Sequence, residues 1–219
     1  MIESLLTSPL SFLIWIIALL VAITIHEFSH ALTADYLGDP TPRINGRLTL
    51  NPFSHLDPIG TIFLFLFRFG WGKPVPIDPF NLQNPRRDTA LISLSGPLSN
   101  LILAIIISLL IRILDSFLFL KLNLPTQILI LILKPIVIMN VILGIFNLLP
   151  LHPLDGGKIL VGFLPRDKAE EVDQILSQYG FFLLILLIFP FFGTSFISLI
   201  ISPIINFILS LLLPGLILT

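Results

Sequence analysis

Between Pro125 and Leu149 the chain carries one charged side chain, Lys134, in a run otherwise rich in Ile, Leu and Val. A stretch of that length and polarity crosses the hydrocarbon core of a bilayer as a helix, which takes about 20 residues. Ser11–Tyr36 and Thr89–Ile113 have the same character, and Phe181–Leu218 is apolar again but interrupted by Pro190, Gly193 and Pro203. Composition agrees: 55% of the 219 residues are hydrophobic and 11% charged, where a soluble domain carries about 25% charged residues. The alternating pattern of a membrane barrel is missing from most of the chain. The expected class is therefore an all-α polytopic membrane protein. The N-terminal MIESLLTSP lacks a basic region, so the first run is read as a retained span and not a cleaved signal.

Between the first two spans the character changes. RINGRLTLNPF, Arg43 to Phe53, sets an Asn-Gly step among alternating residues, which predicts a β-hairpin. Ile59–Phe69 is apolar but too short to span, and in GWGKPVPIDP, Gly70 to Pro79, the prolines permit only an edge strand or extended loop. Non-helical backbone at membrane depth must be shielded by protein or a watery cavity, so a small, partly re-entrant sheet is expected beside the first helix. Pro135 predicts a kink in the third span, and Lys158–Gln178 reads as a loop with short helix. Nine of the twelve Lys and Arg residues lie in the segments after spans one and three (Arg43, Arg47, Arg68, Lys73, Arg86, Arg87, Lys158, Arg166, Lys168); Arg112 and Lys121 lie in the opposite loop. By the positive-inside rule the rich segments face the cytoplasm, which places the protein in the cell membrane with its polar motifs on the cytoplasmic side. A net charge of −1 with no basic tract gives no reason to propose nucleic-acid binding.

The first span ends in chemistry. HEFSH, His26 to His30, puts two imidazoles four residues apart on one helix face, with Glu27 about 100° round. Ionisable side chains within a bilayer cost roughly 2.5–3.5 kcal/mol each on insertion scales and therefore mark function. H-E-x-x-H on a helix is the pattern of a zinc hydrolase, two His ligands and a Glu general base. With no cysteine in the chain, the missing ligand must come from His, Asp or Glu. FNLLPLHPLDGGK, Phe146 to Lys158, supplies Asp155 after the third span, on the same side of the membrane as the end of HEFSH. His26, His30 and Asp155 with an open fourth position make a catalytic zinc site, one Zn2+ per chain.

HEFSH in a membrane helix together with NLLPLHPLDGG, Asn147 to Gly157, resembles the site-2 protease family of intramembrane zinc metalloproteases. The likeness extends to NPFSHLDPIG (Asn51 to Gly60), GKPVPI (Gly72 to Ile77), NPRR (Asn84 to Arg87) and SGPLSN (Ser95 to Asn100), covering roughly residues 15 to 160. It implies a three-helix catalytic core, about residues 11–160; the apolar run at about 181–218 adds C-terminal membrane segments, two short spans or one span with a re-entrant piece, to what reads as a single transmembrane metalloprotease domain over 1–219. It further implies zinc ligands His26, His30 and Asp155, the catalytic Glu27, and Asn147 as an oxyanion or substrate-orienting donor. The implied partners are the bilayer and a transmembrane helix of a substrate protein, such as a membrane-tethered regulator or a leftover signal peptide. These residues leave no room for the PDZ or CBS domain of larger members.

His55 is read either as a group capping the cleft or as a structural loop histidine, and His152 mainly as packing, with a role beside the ligands as the other option. Gly96, Pro97 and Asn100 read as helix packing and a polar contact. The competing function is a non-proteolytic membrane zinc-binding protein or transporter. A transporter often shows inverted repeats, which this sequence lacks, and the intact Glu27 argues for catalysis.

Overall fold

A computed structural model describes residues 8–67, 70–117, 123–189 and 195–213. The helices among them are α1 (Pro9–Tyr36), α2 (Thr41–Ile44), α3 (Pro58–Phe67), α4 (Pro85–Ser116), α5 (Leu124–Asn147), α6 (Asp155–Phe163), α7 (Arg166–Ile188) and α8 (Phe196–Leu212). Four of them, α1, α4, α5 and α7, are long and apolar enough to cross a membrane. The three anticipated spans appear within a few residues of their expected bounds. Arg68, Lys121, Pro190, Gly193 and the end of the predicted Phe181–Leu218 run lie outside the described residues.

The core sits where α1, α4, α5 and α8 meet. Ala18, Ala104, Ile107, Ile111, Val137, Val141 and Leu209 are buried together there. Outward residues such as Leu10, Ile106, Leu131 and Phe207 remain exposed, as a lipid-facing surface requires. Lipid is as apolar as leucine, so close approach of backbones, rather than a hydrophobic drive, brings such helices together. Gly144 of α5 illustrates this: a Cβ there would lie 3.1 Å from the Pro97 carbonyl oxygen of α4. Pro97 and Pro135 both lie inside continuous helices.

The expected hairpin is not formed. Arg43 and Ile44 end the single-turn helix α2, and Gly46, at φ +65°, turns the chain after it. The Asn45 side chain donates to the Thr41 carbonyl at 2.8 Å. Asn-Gly supplies a left-handed residue, which a helix end uses as readily as a two-residue hairpin. No strand occurs among the described residues; one isolated antiparallel bridge, Leu56 with Gly72, is all that remains of the predicted sheet. The polar segment Lys158–Gln178 also differs from expectation. Most of it forms the first half of α7, which continues unbroken into the apolar residues up to Ile188.

The loops that precede α4 are fixed by one carboxylate. Gly38, at φ +105°, leads the chain off α1, and Asp39 is fully buried just after it. Its oxygens accept from Thr41 N (3.0 Å), Thr41 Oγ1 (2.5 Å), Asn81 Nδ2 (2.9 Å) and Asp78 N (2.8 Å). Burial pushes the Asp39 carboxyl up, but these bonds outweigh it and hold the group below its ordinary value.

Candidate metal centre

His26 and His30 occupy the last third of α1 and are both buried, their rings 4.6 Å apart and nearly perpendicular. They face α4 at Gly96, where a Cβ would lie 2.5 Å from His30 Cε1 and 2.8 Å from His26 Cε1. Only glycine leaves room for two imidazoles at that crossing.

Each ring is held by its Nδ1. His30 Nδ1 donates to the Ile92 carbonyl at 2.7 Å. His26 Nδ1 lies 2.7 Å from Asn100 Oδ1, and the Asn100 amide donates to the Ala22 carbonyl (2.9 Å) and Asn140 Oδ1 (2.7 Å). Since Asn100 spends its NH2 on those two acceptors, its oxygen faces His26 and the His26 proton sits on Nδ1. Both tautomers are therefore set by acceptors behind the rings, the arrangement that orients metal-ligating histidines. Asn100 and Asn140 are fully buried in the bundle centre. The sequence marked Asn100 as a polar contact without identifying His26 as its partner, and Asn140 carried no signal beyond a polar residue in a span.

Asp155 opens α6 directly after the loop that follows α5. A carboxylate in the first turn of a helix gains from the helix dipole. Gly156 and Gly157 are buried beside it, and a Cβ at Gly157 would lie 2.6 Å from His152 Nδ1. The two glycines thus let the start of α6 pack tightly against the preceding loop. Asp155 Oδ2 comes to 3.0 Å from His26 Nε2 and 3.2 Å from His30 Nε2.

These atoms fit a metal ion. With both Nδ1 atoms protonated, two Nε2 lone pairs and a carboxylate oxygen converge with no hydrogen between them, and the three ligand atoms lie within 4.8 Å of one another. The separations of 3.0 and 3.2 Å approach the edge of a zinc tetrahedron, about 3.3 Å for bonds near 2.0 Å. A cation removes the repulsion among three acceptors.

Glu27 is half-buried on the neighbouring face of α1. Gly72 lies against it, with a Cβ position 3.6 Å from Glu27 Oε1 and 3.4 Å from Ile23 Cγ2. Asn147 ends α5 and donates its Nδ2 to the Leu143 carbonyl at 3.0 Å, so its amide is turned along its own helix. His55 is fully buried and bonds through Nε2 to the Thr49 carbonyl at 2.8 Å, a loop-building role. His152 Nε2 pairs with Asp173 of α7 at 2.9 Å, linking α7 to the loop that carries Asp155.

Comparison with known proteins agrees with this geometry. Peptidase family M50 matches residues 116–187. The "Putative zinc metalloprotease YwhC" of Bacillus subtilis is 38% identical over 199 residues, covering 90% of this chain and 89% of that protein. The "Putative zinc metalloprotease Rip2" of Mycobacterium tuberculosis is 31% identical over 189 residues, 81% of this chain and 69% of that protein. No solved structure matches. A relative 38% identical and aligned over 89% of its length, together with the convergent His26, His30 and Asp155, establishes that the chain belongs to Peptidase family M50, the site-2 protease family.

Proposed function

We propose that this protein is an intramembrane zinc endopeptidase that hydrolyses peptide bonds in transmembrane segments of membrane proteins. The observation that carries the reading is the meeting of two back-bonded imidazoles and a carboxylate inside a bundle of apolar spans. The names of the two relatives, both zinc metalloproteases, support the same metal and reaction class.

His26, His30 and Asp155 hold the zinc. When bound, zinc supplies a Lewis acid that polarises the scissile carbonyl and lowers the pKa of water to about 7. Glu27 takes a proton from the attacking water and returns it to the leaving amine. Asn147 is the candidate donor to the oxyanion or to the substrate backbone; in this role its amide swings from Leu143 towards the peptide. A helical substrate must unwind first, because its carbonyls are otherwise shielded, and orphaned backbone groups in lipid cost several kcal/mol each. Apolar α3 is ten residues long, too short to cross. Its Phe63 packs against Trp71 with ring centres 5.3 Å apart and planes tilted by 48°, and we place it with the loop around Gly72 as a re-entrant segment beside α1. The site opens to cytoplasmic water, following the charge distribution.

The test is cleavage of a synthetic single-span peptide by the purified protein in detergent, with the cut mapped by mass spectrometry. A cut within the apolar segment, abolished in Glu27→Gln, is expected. Cleavage only in the soluble flanks, or equal cleavage by Glu27→Gln, would overturn the reading.

A further inference from the structure

Arg47 is the most anomalous side chain outside the metal ligands. It is only 4% exposed, and its Nε and Nη1 have no hydrogen-bond partner among the described residues. A buried guanidinium normally has paired donors and a nearby counter-charge, since unpaired burial of a charge is costly. Its remaining nitrogen, Nη2, donates to the Lys73 carbonyl. Lys73 N in turn donates to the His55 carbonyl at 2.9 Å, and the His55 ring is tied to the Thr49 carbonyl. Arg47, Thr49, His55 and Lys73 thereby form one closed set of contacts that fixes the Gly72–Lys73 backbone. That backbone lies against the carboxylate of Glu27, through Gly72.

We infer that Arg47 is a positioning residue of Glu27: by holding the Lys73 carbonyl it locks the Gly72–Lys73 segment against the Glu27 carboxylate. The inference rests on the proposed role of Glu27 as general base. The charges corroborate the geometry. Burial pulls the Arg47 guanidinium down from its ordinary value, and the Glu27 carboxylate opposes that shift. Arg47 does not touch the reacting atoms. It acts through the orientation of Glu27, so its loss affects the chemical step and leaves substrate affinity and metal binding in place.

The experiment measures kcat, KM and zinc content for Arg47→Met, Arg47→Lys and Gly72→Ala beside wild type and Glu27→Gln. Misplacing a catalytic group by about 1 Å costs about 100-fold, so Arg47→Met should lose about that factor in kcat with KM within about twofold of wild type and with one zinc per chain. Arg47→Lys keeps the charge without the fork and should recover part of the loss. Gly72→Ala places a methyl against Glu27 and the His55 carbonyl, and should lower kcat without any change at Arg47; it serves as the test if Arg47→Met does not fold. Wild-type kcat in Arg47→Met or in Gly72→Ala would overturn the inference, as would a loss confined to KM. These outcomes leave the proposed function standing so long as Glu27→Gln alone is inactive; equal cleavage by wild type and Glu27→Gln would remove both.

Discussion

Asn100 makes three hydrogen bonds with one fully buried amide, joining α1, α4 and α5 directly behind His26. Asn100→Ala removes the acceptor that fixes the His26 tautomer, and such partners are worth 10–100-fold in metal affinity. Chelator competition should show zinc affinity falling by about that factor while Glu27 and the zinc ligands remain intact; unchanged affinity would mean that His26 is oriented by packing alone. The meeting of His26 and His30 was legible in the sequence, because i, i+4 spacing places them on one face and the bilayer forbids idle charges. The partner of Asn100 and the burial of Arg47 were not. Periodicity shows which face of a helix turns inward but not what it meets there, and Arg47 reads in sequence as one more cytoplasmic charge although its guanidinium is buried.

The elements that bring Asp155 to α1 depend on close backbone packing and on one buried acid. At Gly162 of α6 a Cβ would collide with Ala90 and come within 3.1 Å of the Arg86 carbonyl of α4. Overpacking of this kind costs roughly 1–3 kcal/mol, so Gly162→Ala should lower the unfolding midpoint in detergent and, by lifting α6, weaken zinc binding as well; a variant with wild-type stability would show that α6 is free to shift. Asp39 governs the other side. Its folded pKa lies below its unfolded value of about 3.9, so the stability that it contributes is present above that value and is lost as pH falls through the folded pKa. Asp39→Asn should accordingly melt lower than wild type at pH 7, with the gap narrowing below about pH 4; a gap independent of pH would contradict the assignment. The hairpin was misread at this scale because Asn45–Gly46 encodes a positive φ and not a partner strand. The long polar stretch of α7 was misread because its composition changes at about Phe181 while its helical hydrogen bonding does not.

For the whole molecule, the bundle has an end that carries the His26, His30 and Asp155 cluster, where α1 finishes and α4 begins, and a far end around Phe117. Phe80, 97% exposed, lies at the first and Phe117, 57% exposed, at the second. The chain contains no cysteine, so Phe80→Cys should react with an impermeant thiol reagent from the cytoplasmic face and Phe117→Cys from the opposite face; the reverse pattern would invert the topology. The first three spans and their order could be read from the apolar runs, since a bilayer fixes helix length, whereas the fourth, α7, starts inside a polar segment and could not; nor could α3 and the loops around it, because their course is set by tertiary contacts such as the Leu56–Gly72 bridge. The central claim is that His26, His30 and Asp155 hold the zinc with which Glu27 hydrolyses a membrane-embedded peptide. Zinc content and turnover of a single-span peptide, measured on the same preparations of wild type, Glu27→Gln and Asp155→Ala, test it most directly. The account predicts one zinc with turnover in wild type, one zinc with turnover reduced by at least about 100-fold in Glu27→Gln, and loss of both in Asp155→Ala; full zinc occupancy in Asp155→Ala, or undiminished turnover in Glu27→Gln, would contradict it.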